Sequence, residues 1–153
     1  MANIVLITHE YFSDKENFVE MLDFGDRLKQ STRCYFSVAT TYNGNSLFVP
    51  LRSVIDLSVG KMGYPLPSSS RPKAGLDFRK ILIVNNVEHI SILQHPNISS
   101  SQMTKLVGEV MRIESRAVDY VSGYVKSAKK RREKIDSKYR FSTLHNFHKE
   151  LGI

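Results

Sequence analysis

The feature that most constrains this chain is the stretch from Arg33 to Ser53, RCYFSVATTYNGNSLFVPLRS, which reads as one β-hairpin. Tyr42-Asn43-Gly44-Asn45 supplies the turn, because Asn-Gly accepts the positive φ angles of a two-residue hairpin loop. Its flanks are rich in Tyr, Phe, Val and Thr, side chains that suit a pleated, half-buried surface. Pro50 has no amide hydrogen to give to a ladder, so the second strand is expected at a sheet edge or ending there. Arg33 opens the first strand, and Arg52 and Ser53 close the second. Antiparallel pairing brings two guanidiniums and a hydroxyl to one end of a rigid ribbon, an arrangement that suits a phosphate.

A chain of 153 residues reads as a single domain, 1–153, with room for a sizeable core. Hydrophobic residues at 41% and charged residues at 24% are ordinary for a globule and exclude a disordered tail. The one cysteine, Cys34, excludes an intramolecular disulfide and a cysteine-rich zinc site, and its place in a strand favours packing over nucleophilic attack. No run approaches the roughly 20 apolar residues of a membrane span. Residues 1–8 lack the basic start of a signal peptide. A reducing, cytoplasmic setting is the simplest expectation. The five histidines form neither a His-x-x-x-His nor a His-Glu-x-x-His pair, so no metal site is expected.

Charge is placed unevenly along the chain. Residues 1–30 carry a net −3, residues 31–80 a net +5, and residues 124–140 a net +6. The second locus includes Arg71, Lys73, Arg79 and Lys80; the third includes Lys126, Lys129, Lys130, Arg131, Arg132 and Lys134. Two basic loci suggest a polyanion contacted over a large footprint. The competing reading of the third is a solvated helix end whose cations answer the macrodipole.

The element order is α+β. A first strand covers Asn3 to Thr8, and Ser13 or Asp14 is expected to cap a short helix reaching about Leu22. After the hairpin, residues 58–75 hold three Gly, three Pro and four Ser without periodicity, a long surface loop. Phe78 to Val84 reads as a strand and Val87 to Leu93 as another short element. From Met103 to Tyr124 apolar residues recur at helical spacing, so a long helix is expected over about 100–132, its basic end projecting beyond the core. A closing helix near 142–150 would turn Phe141, Leu144, Phe147 and Leu151 inward.

The hairpin with its Val-Pro-Leu-Arg-Ser end resembles the corresponding segment of type III toxin–antitoxin endoribonucleases, the ToxN/AbiQ-like superfamily. In that family a basic residue opens one strand and a hydroxyl residue follows Pro-Leu at the end of the next, places held here by Arg33 and Ser53. Ala74 to Ile83 is similar to the family's Gly-Leu-led strand, and Phe141 to Lys149 to its closing helix. The CptN branch is nearest, then TenpN. Some members carry Thr-Ser followed two residues later by lysine; this chain has Arg52 before Ser53 and Ile55 at the lysine position.

The resemblance implies a twisted antiparallel sheet forming a partial barrel akin to the MazF/Kid toxins, flanked by helices. It also implies metal-independent cleavage of single-stranded RNA by the substrate's own 2′-hydroxyl, with 2′,3′-cyclic phosphate and 5′-hydroxyl products and no cofactor. The implied partners are cellular mRNA and a repeat antitoxin RNA, trimmed by the toxin and then held in its groove within a larger protein–RNA assembly. Such a reaction needs cations over the phosphorane, a proton acceptor and a proton donor. Arg33, Arg52, Ser53 and Lys80 are the catalytic candidates. Tyr35, Arg71, Lys73, Arg79, His148 and the third-locus cations are the RNA-binding candidates, Tyr35 as a stacking platform.

Structural readings compete with these: an edge-strand gatekeeper for Arg33, a cap for Ser53, a surface residue for Lys80, a packed or capping histidine for His148. Two other function classes stay open. One is a non-catalytic RNA- or DNA-binding module using the same basic surfaces. The other is a protein whose basic helix end meets an acidic protein or membrane surface.

Overall fold

The computed structural model describes residues 3–55 and 62–153, and within them the chain is α+β. Seven strands among the described residues form one open, wholly antiparallel sheet: β1 (Asn3–Ile7), β2 (Tyr35–Ser37), β3 (Leu47–Arg52), β4 (Gly63–Pro65), β5 (Gly75–Asp77), β6 (Leu82–Ile83) and β7 (Ile90–Ile92). Their order is β4-β5-β3-β2-β1-β7, with β6 also on β3. Five α-helices among the described residues flank it: α1 (His9–Phe12), α2 (Arg27–Thr32), α3 (Ser100–Gly108), α4 (Val110–Lys129) and α5 (His148–Leu151). Ile113, Ala117, Val121 and Tyr124 of α4 are fully buried and join sheet residues such as Phe36, Leu47 and Phe78 in the core. No described helix is long and apolar enough to cross a membrane.

The hairpin forms where the sequence places it. Asn43 and Gly44 take φ 48° and 80°, and Tyr42 and Asn45 exchange two backbone hydrogen bonds of 2.9 Å. Pro50, however, lies opposite Tyr35 in a central strand, not at an edge. The Leu51 amide donates across to Cys34, so alternation turns the Pro50 nitrogen the other way, toward the β5 and β6 side. There β5 pairs with Leu51 and Arg52 and β6 with Leu47 and Phe48, and the proline falls in the gap between them.

The early helix is displaced from its expected position. Ser13 closes α1, its hydroxyl donating to the Glu10 carbonyl, and residues 14–22 are irregular. Glu20, Asp23 and Gly25 take positive φ, which breaks any continuous helix there, and Asp26 instead caps α2 by accepting the Lys29 amide. Phe18 still reaches the core, meeting Phe147 edge-on at 5.6 Å between ring centroids.

The expected 78–84 strand divides. Asp77 caps a 3-10 turn over Phe78–Lys80, leaving β5 before it and β6 after it. Of the 58–75 loop, residues 58–61 lie outside the described residues, and the remainder holds β4 and the start of β5. Gly75 is required at that start: a Cβ there would lie 2.4 Å from the Tyr64 carbonyl oxygen.

The long helix is interrupted at Glu109, φ −117° and ψ 19°, directly after Gly108. Its basic end does not project. Arg131 takes φ 56°, and the Arg131 and Arg132 amides donate back to Ala128 and Ser127, the paired bonds of a Schellman stop. The chain then folds back, and Tyr139 packs edge-on against Tyr120 and Tyr124 beside Gly123. The closing segment is a 3-10 turn, Thr143–Asn146, followed by α5; Leu144, Phe147 and Leu151 are buried, but Phe141 is 45% exposed.

Candidate active site

The open ends of β2 and β3 border a cleft of about 310 Å³. Lys29 and Thr32 enter it from α2, Arg33 and Cys34 from the link between α2 and β2, Leu51 and Arg52 from the end of β3, and Ser53 from just beyond it. Asp23, Arg71, Ala74, Asn97 and Gln102 complete the lining. Three of the four expected catalytic residues, Arg33, Arg52 and Ser53, therefore share one site, and Arg71 joins them.

Two carboxylates set the geometry of the arginines. Arg33 donates through Nε and Nη2 to both oxygens of Asp23, at 2.8 and 3.1 Å, and through Nη1 to the Leu51 carbonyl at 3.0 Å. Burial opposes the Arg33 charge, but the hydrogen bonds and charge of Asp23 outweigh it and the net shift of its pKa is upward. Arg52 donates to Oδ2 of Asp77 at 2.8 Å. Asp77 is 1% exposed and also accepts from the Arg79 amide, Nε and Nη2. One buried carboxylate thus carries two guanidiniums. Ser53 is exposed at the cleft and makes no side-chain hydrogen bond among the described residues. The Cys34 thiol is half-buried in the wall, and burial raises its pKa.

Lys80 is placed elsewhere. Its ammonium donates to the carbonyls of Glu20 and Phe141, at 2.8 and 2.9 Å, and does not line the cleft. Burial lowers its pKa, against the charge of Glu20. Lys80 ties the irregular 14–26 segment to the C-terminal part. Tyr35 is 2% exposed, so no base can stack on it; its ring belongs to the core. Arg79 is committed to Asp77, and Lys73 is exposed but outside the cleft lining. Lys126, Lys129, Lys130, Arg131, Arg132 and Lys134 are all exposed around the end of α4, away from the cleft lining. Arg131 holds a left-handed conformation that glycine would adopt with less strain.

His148 does not face the cleft. Its Nε2 lies 2.7 Å from the Tyr124 hydroxyl, which lies 2.8 Å from Nδ1 of His145. His145 Nε2 is 3.0 Å from the Arg140 carbonyl, which can only accept. The Nε2–H of His145 therefore donates there; with Nδ1 accepting from Tyr124, the Tyr124 oxygen accepts from His148. Burial lowers the His148 pKa, the charges of His145 and Lys134 add to this, and Glu133 opposes it. A depressed folded-state pKa favours the fold above the unfolded value of 6.5, and that contribution is lost as pH falls below it. Urea-unfolding free energies are expected to decline from pH 7 toward pH 5, and more shallowly in His148→Gln. Equal slopes in the two proteins would assign the decline to other groups.

Sequence reading missed Asp23, Lys29 and the pairing of Asp77 with Arg52. The carboxylates lie 10 and 25 residues from their arginines, and no local pattern marks such pairs. Lys29 carried a usable signal. It stands four residues before Arg33, one helical turn away, and the Arg33 amide donates to its carbonyl. Among the described residues no cluster of His, Cys, Asp or Glu is placed to hold a metal ion.

No family model matches the chain, and no curated protein matches it in sequence. Its fold is similar to that of a solved structure concerned with bacterial type III toxin–antitoxin systems, in which a non-coding RNA pseudoknot selectively inhibits a toxin. The TM-score is 0.63, with 18% identity over 78% of this chain and 77% of the other. At that identity the likeness shows a shared fold.

Proposed function

We propose that this protein is the RNA-cleaving toxin of a type III toxin–antitoxin system, nearest to the CptN branch and then TenpN. The observation that carries this reading is that Arg33, Arg52, Ser53 and Arg71, drawn from separate segments, line one cleft on a fold shared with a pseudoknot-inhibited toxin. In the proposed reaction the RNA 2′-oxygen attacks the adjacent phosphorus and the P–O5′ bond breaks. The 2′-hydroxyl loses its proton, the 5′-oxygen gains one, and the ends are a 2′,3′-cyclic phosphate and a 5′-hydroxyl. No protein nucleophile and no metal takes part. Arg52 offsets the charge of the phosphorane, and Ser53 hydrogen-bonds a non-bridging oxygen or positions the 2′-hydroxyl. Arg33 holds the cleft wall. The exposed cations around the end of α4 contact a repeat antitoxin RNA, which the toxin trims and which then inhibits it within a larger assembly.

The test is incubation of labelled single-stranded RNA with the protein in EDTA. Cyclic-phosphate ends are expected, together with protection of Cys34 from alkylation by bound RNA. Cleavage that requires added Mg²⁺ sinks the metal-independent mechanism. Binding with no new ends favours a non-catalytic nucleic-acid module on the same surfaces.

A further inference from the structure

We propose that Lys29 and Arg71 hold the RNA backbone in the cleft, while the Asp23–Arg33 pair is a strut and not a phosphate ligand. The identity of the ligand rests on the ribonuclease reading above. The division of labour rests on which charges are already compensated. Arg33 has three of its five N–H groups committed, two of them to both oxygens of one carboxylate, so the pair is electrically neutral. Arg52 and Arg79 share the single negative charge of Asp77. Lys29 and Arg71 differ from both: neither side chain has an ion pair or a hydrogen bond among the described residues, and both are exposed and line the cleft.

Their backbones are braced even though their side chains are free. The Lys29 amide donates to the Asp26 cap and its carbonyl accepts the Arg33 amide. Ser68 and Arg71 exchange two backbone hydrogen bonds, the Ser68 hydroxyl accepts the Arg71 amide a second time, and the Arg71 carbonyl accepts from Ala74. A long cation on a fixed root suits a phosphate that arrives on a flexible strand. Arg71 offers a two-pronged fork and Lys29 a point charge. The strut fixes the lysine's root as well, since Arg33 follows it by one turn and is pinned to Leu51 across the cleft floor.

The salt dependence of binding reads this directly, because each phosphate contact on a single strand contributes about 0.7 to the slope of log affinity against log salt. The probe is a 2′-O-methyl oligoribonucleotide, which lacks the attacking hydroxyl and stays intact, followed by fluorescence anisotropy over a salt series. Lys29→Ala and Arg71→Ala are each expected to lower the slope by about 0.7, and the double variant by about 1.4. The Asp23→Asn/Arg33→Gln double variant removes one charge of each sign and is expected to keep the wild-type slope. Unchanged slopes in both exposed-residue variants, whose folding burial does not endanger, overturn the proposal, as does a slope lost only in the Asp23/Arg33 variant. Wild-type protein that binds this probe but leaves unmodified RNA intact overturns the ribonuclease reading alone. Failure to bind the probe at all overturns both.

Discussion

Replacing Asp77 with alanine is expected to lower the free energy of unfolding by about 3–5 kcal/mol, the usual consequence of removing one partner from a buried ion pair. Asp77 is 1% exposed, while the side chains of Arg52 and Arg79 are 30% and 14% exposed. Without the carboxylate, the two guanidiniums lose the counter-charge they share, and the Arg79 amide that starts the 3-10 turn loses its acceptor. The lower end of the range applies if Arg52 swings into the solvent it already half meets. Asp77→Asn separates the contributions: it keeps an acceptor for the amide but gives up the charge. Chemical denaturation reads both variants, and a loss below about 1 kcal/mol in the alanine variant would mean that the pair is worth no more than a surface one. Asp77 also orients Arg52, so its removal is expected to disorder the cleft before it unfolds the sheet.

The elements legible in the sequence are those whose signals are local. The Asn43-Gly44 turn needs only two residues of positive φ, and the strands beside it are rich in the aromatic and β-branched residues that pair well, Phe36 opposite Val49 among them. The α4 stripe is legible for the same reason, since helical spacing repeats over many turns. What stayed hidden depends on partners far along the chain. Pro50 signals an edge, yet it fits a central strand because a gap between β5 and β6 meets the missing amide. Residues 14–22 carry a cap and an apolar face, yet positive φ at Glu20 and Asp23 and the second cap at Asp26 divide them. At the site, the hairpin pattern is enough to bring Arg33 to Ser53. It does not say that Arg33 is neutralised by Asp23, nor that Lys80 is engaged by two carbonyls outside the cleft.

That difference in engagement makes Arg52 the residue whose loss should slow catalysis most. Arg52→Ala is expected to reduce RNA cleavage about 10²–10³-fold, the scale seen when one preorganised donor to a developing oxyanion is removed. The fold should survive the change, because Asp77 keeps its bonds to Arg79. Arg52→Lys restores the charge without the fork, so an intermediate rate separates electrostatic from bidentate stabilisation. Ser53→Ala should cost about 10–100-fold, the worth of a hydrogen bond to a charged group expressed as a rate. Both losses should fall on kcat, since the phosphorane charge exists only in the transition state. Lys29→Ala and Arg71→Ala should instead raise KM, because a backbone phosphate is bound equally before and during the reaction. A rise in KM with unchanged kcat on removing Arg52 would place it among the binding cations and leave the scissile phosphate without an assigned charge. In the proposed reaction the nucleophile belongs to the RNA, so these variants measure how well the cleft holds a reaction that the substrate performs on itself.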